Sequence, residues 1–81
     1  MPEVGEAAGQ IFFIRLLDDG SNNDKTITLS FPGDPKIAVG LNSNLQSANT
    51  WASSNNLTND DDYVLLLSTG HVWVVLAEKT T

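Results

Sequence analysis

The chain predicts an α+β fold: a mainly antiparallel four-stranded sheet, order ββαββ, with one helix on one face. Three observations carry that expectation. Ile11-Phe12-Phe13-Ile14, Tyr63-Val64-Leu65-Leu66-Leu67 and Val72-Trp73-Val74-Val75-Leu76 are apolar without alternation, the pattern of strands withdrawn from water on both faces. Residues 26–31 alternate cleanly, and one stretch, 44–54, carries helix signals. One helix shields one side of a sheet, so the other side calls for a second layer, and 81 residues leave little chain to build it.

Residues 1–9 (MPEVGEAAG) are small, acidic and glycine-punctuated and read as an N-terminal arm preceding a single domain at 10–77. The first strand spans 10–17. Asp18 to Asp24 favours turns and left-handed backbone, so 10–17 and 26–31 read as a hairpin with a long polar loop. In the second strand Ile27, Leu29 and Phe31 point one way and Thr26, Thr28 and Ser30 the other. Pro32-Gly33-Asp34-Pro35 breaks the sheet.

Residues 36–41 read two ways. Asp34 and Pro35 suit a helix start, and Ile37, Leu41, Leu45, Ala48 and Ala52 lie near one helical face; the alternative is a short extended segment. Ser43-Asn44-Leu45-Gln46 fits the S-x-x-Q capping box and places the helix at 44–54, with Trp51 at the boundary of its buried side. Strands at 63–67 and 71–76 are joined by the tight turn Ser68-Thr69-Gly70, and 78–81 form a polar tail. A small all-β sandwich is the alternative fold. It requires 36–41 and part of the arm to pair as strands of a second sheet.

Ten acidic residues against four basic ones give a net charge of −6, and Arg15, Lys25, Lys36 and Lys79 are scattered along the chain. Phosphate neutralisation needs clustered cations, so direct nucleic-acid binding and attachment to an anionic membrane are both disfavoured. There is no cysteine, which excludes disulfides and thiolate metal sites. The N-terminal residues have no basic or apolar signal region and no apolar run reaches spanning length; the expected location is cytoplasmic or virion-associated.

No constellation specifies a reaction or a cofactor. His71, the one histidine, follows a turn, and a triad with Ser68 and an aspartate lacks an oxyanion hole or an orienting group. Asp18 to Asp24 spaces oxygens as D-x-G-x-N-x-D but puts Gly20 and Leu29 where a calcium loop needs oxygen ligands. Asn56-Leu57-Thr58 matches a glycosylation sequon. Asp60, Asp61 and Asp62 form a solvating cluster or an acidic patch for a basic partner.

The expectation for function is therefore non-enzymatic. A small acidic subunit associates with copies of itself, or with a larger scaffold, through an apolar sheet face and its termini, as capsid decoration proteins do. The expected interface residues are Phe12, Val64, Leu66, Trp73, Val74 and Val75. The alternative is an acidic binding or inhibitor module, such as a DNA mimic, that blocks a basic groove of an enzyme through Asp60, Asp61 and Asp62.

Overall fold

The two longest apolar runs pair with each other. In a computed structural model that describes residues 1–17, 26–39, 44–59 and 61–80, the elements follow as β1 (Ile11–Arg15), β2 (Lys36–Val39), β3 (Gln46–Ser47), α1 (Ala48–Ser54), β4 (Tyr63–Ser68) and β5 (Val72–Lys79). They form one five-stranded sheet in the order β1-β4-β5-β2-β3. The β4–β5 hairpin is its centre. Gly70 in its turn has φ +97°, and an added Cβ there would stand 3.2 Å from the Ala8 Cβ, so only glycine fits without strain.

The architecture is α+β with one helix, but the sheet differs from a four-stranded antiparallel one in two ways. Residues 26–31 do not form a ladder strand. They keep the expected alternation of sides, yet among the described residues their ladder pairing is one isolated antiparallel bridge, Ile27 to Leu57, outside the named strands. The Asn49 side chain takes the place of a partner strand at Phe31, accepting from its N–H (2.7 Å) and donating to its C=O (3.0 Å). Period-two alternation reports an extended segment with one buried side, and such a segment can lie across a core as well as inside a sheet.

The second difference is β2. Of the two readings of 36–41 the extended one holds for Lys36 to Val39, a strand that pairs in parallel with β5, Ile37 opposite Trp73, which makes the sheet mixed. Its place beside the central hairpin explains why four residues suffice: Ile37 is fully enclosed. This strand joins the same sheet as the hairpin, so no second sheet of a sandwich arises from it.

The helix is also shorter than 44–54. Gln46 and Ser47 pair with β2 before it begins, and Ser47, not Ser43, is the N-cap, accepting from the Thr50 N–H at 3.3 Å. Asp34 accepts from the Ser47 hydroxyl (2.5 Å) and from the Asn49 amide (3.3 Å), fastening the Pro32–Pro35 turn to the helix start. Ala48, Trp51 and Ala52 supply the buried side, so Trp51 lies inside the core instead of at its boundary. Asn55 closes the C-terminus, with its backbone and side-chain N–H groups both donating to the Trp51 carbonyl.

Residues 1–9 lie against their own sheet. The Ser68 hydroxyl donates to the Val4 carbonyl (2.6 Å), the Gly9 N–H to the Ser68 carbonyl (2.7 Å), and the Met1 nitrogen to the Ser30 carbonyl (2.9 Å). Ala7 is buried, and Met1 and Val4 pack on the core. The layer over one sheet face is thus composite: α1, the extended segment 26–31 and the N-terminal residues together. At its centre Trp73, 0% exposed, meets Phe12 and Phe31 edge-on, with ring centroids 5.6 and 5.7 Å apart.

Trp73→Ala is expected to cost about 3–5 kcal/mol. A chain of 81 residues has a total stability of about 4–12 kcal/mol at typical per-residue values. Chemical denaturation should therefore show a variant close to unfolded; a loss under about 1 kcal/mol would mean that the indole is not enclosed.

Candidate functional site

Side chains alternate across each strand, so the buried set defines what faces the other way. Val64, Leu66 and Ser68 of β4, Trp73 and Val75 of β5, and Ile37 of β2 turn toward the composite layer. Their neighbours Leu65, Leu67, Val72, Val74 and Ala38 turn away, joined by Ile11 and Phe13 of β1, which register against Leu67 and Leu65. Among the described residues no segment covers this second face. Ile11 and Phe13 are each 60% exposed, a large apolar exposure for two adjacent positions on one face of a strand.

A bulge bends the far end. Leu66 registers with Val75 and Leu65 with Ala77, which leaves Leu76 as the unpaired residue, 47% exposed. Beyond it a shallow groove of about 360 Å³ is lined by Phe13, Arg15, Asp61, Tyr63 and Lys79. The Phe13 and Tyr63 rings meet there at 5.7 Å, and Arg15 forms an ion pair with Asp61 across the edge of the face. With about half of each side chain in water, that pair adds little stability. By register, Arg15, Lys36 and Lys79 all belong to the open face, with Asp61 paired to Arg15 at its edge.

The expected interface residues divide between the faces. Val64, Leu66, Trp73 and Val75 are enclosed by the chain itself and Phe12 packs half-buried against Trp73, so these five belong to the monomer's own core. Val74 alone lies on the open face. Ile11, Phe13, Leu65 and Leu67 take the place of the others. A strand that is apolar on both sides carries no mark of which side its own chain will cover, and only pairing with Trp73 and Ile37 decides it.

The acidic residues are also separated. Asp60 lies outside the described residues, as does the Asp18 to Asp24 loop with its calcium-like spacing. Asp61 has φ +72° and pairs with Arg15. Asp62 is fully buried, its carboxylate accepting from the Thr58 (3.1 Å) and Asn59 (2.9 Å) N–H groups, which makes it a brace for the turn before β4. The Ser68 hydroxyl is held by Val4 and Gly70, and His71 stands exposed on the turn. Leu57 within the sequon is buried. Among the described residues no three His, Asp or Glu side chains gather in a metal-binding group, and no helix is long and apolar enough to cross a membrane. Comparison with protein-family models, curated proteins and solved structures finds no match.

Two buried polar atoms stand out on the covered side. Among the described residues the Trp73 indole N–H and one Glu78 carboxylate oxygen have no hydrogen-bond partner. Glu78 registers with Val64, and loss of water around it raises its carboxyl above the ordinary value of 4.5. A raised folded-state value means that the folded protein holds this proton more tightly than the unfolded chain. Stability from this group is therefore greatest near or below pH 4.5 and falls as pH rises through the folded value. Glu78→Gln is expected to melt a few degrees higher than the parent at pH 7 and to converge with it in acid. Parallel melting curves at all pH values would show that Glu78 is solvated.

Proposed function

We propose that the chain is a non-enzymatic assembly subunit whose working surface is the open sheet face. The observation that carries this reading is the contrast between the two faces of one sheet. One is closed by three separate parts of the chain, and the other offers Ile11, Phe13, Leu65, Leu67 and Val74 to the surroundings. Four strands at about 4.8 Å spacing and about five residues of length present roughly 300 Å² in projection, the size at which exposed apolar patches on monomers are often functional. The commitment of Ser68 and Asp62 to backbone contacts supports a non-catalytic reading. Decoration of a larger particle, such as a virus capsid, is one role that fits a small subunit with such a surface.

Val74→Asp should leave the monomer folded, because the side chain faces away from the core, and should weaken association at least tenfold. Val64→Asp should unfold the chain, since it buries an unpaired carboxylate. Sedimentation velocity with circular dichroism checks both. A folded Val74→Asp variant that associates as the parent does would remove this face as the contact.

A further inference from the structure

The sheet has one guarded edge and one unguarded edge. The guarded edge is β3, two residues long and running straight into the helix. The unguarded edge is β1, five residues with no proline, no bulge and its one charge at the end. Long apolar edges without such protection are where another strand adds. The hydrogen bonds flanking β1 set its phase: Ser68 N–H donates to the Gln10 carbonyl and Leu16 N–H to the Asp62 carbonyl. In an antiparallel ladder the even-numbered residues between them then bond to β4, and the backbone groups of Ile11 and Phe13 point outward. Among the described residues no segment pairs with that edge.

We infer that β1 pairs antiparallel with β1 of a second copy about a two-fold axis at Phe13. The register is self-complementary. Phe13 exchanges both backbone hydrogen bonds with Phe13 of the second copy, and Ile11 falls opposite Arg15, so the two Arg15 cations lie at opposite ends. A parallel pairing would set like charges side by side. Stacking one open face on another would by itself remove roughly 600 Å² in projection, short of the ~1,200 Å² of a stable interface. Edge pairing joins two open faces into one ten-stranded sheet and doubles the apolar surface available for stacking. The inference rests on the assembly reading for its choice of a second copy as partner, and it adds a strand-edge contact to the open face that reading uses.

The chain has no cysteine, so a single introduced cysteine reports only intermolecular contacts. In the inferred pairing the two Phe13 Cα atoms stand about 5.5 Å apart, within disulfide range, while the two Leu65 Cα atoms stand about 14 Å apart across three strand spacings. With oxidised glutathione as oxidant, Phe13→Cys is expected to form a disulfide dimer and Leu65→Cys to remain monomeric. Crosslinking at Leu65 but not at Phe13 would overturn edge pairing while keeping face association; crosslinking at neither would overturn edge pairing. A second pair of variants separates backbone from side chain. Phe13→Ser and Phe13→Pro both remove the ring, but only proline removes the outward N–H. Dimerisation at least tenfold weaker in folded Phe13→Pro than in Phe13→Ser supports the inference, and equal dimerisation overturns it.

Discussion

The enclosure of Trp73 between Phe12 and Phe31 is the contact on which the rest of the structure depends. It joins β1, β5 and the extended segment at one point and gives the covered face its depth. Among the described residues the indole N–H has no acceptor, a cost that the large apolar burial of the ring offsets. The segment before the helix must therefore lie over the sheet, and Asn49 holds it there by mimicking a strand partner.

This economy has a consequence on the other side. The helix, the extended segment and the N-terminal residues are all drawn to the Trp73 face, and among the described residues no chain is left to cover the strip from Ile11 to Val74. By register Arg15, Lys36 and Lys79 share the face with that strip, and Asp61 pairs with Arg15 at its edge.

Much of the frame could be read in advance. The β4–β5 hairpin, the first strand, the turn glycine and a helix ending near residue 54 follow from local signals, and the need for something beyond one helix followed from strands apolar on both sides. Two features were hidden for physical reasons. Ile27, Leu29 and Phe31 alternate because one side of an extended segment is buried, and alternation does not say whether the neighbours along its edges are strands or an asparagine amide. Lys36 to Val39 is too short for its period to be measured, and its strand character comes from parallel pairing with β5, a contact distant in sequence. Of the residues expected at an interface only Val74 faces the open side, because choosing between Leu65 and Leu66 depends on register with Trp73.

The central claim is that one sheet face is closed by the chain itself and the other is closed only by association. Methyl NMR with a soluble paramagnetic agent across a concentration series tests it most directly. The account predicts that Ile11, Leu65 and Leu67 methyls relax strongly in dilute solution and become protected as concentration rises, while Leu66 and Ile37 stay protected throughout. Protection of Ile11, Leu65 and Leu67 at every dilution would contradict it, since the chain would then cover both faces on its own.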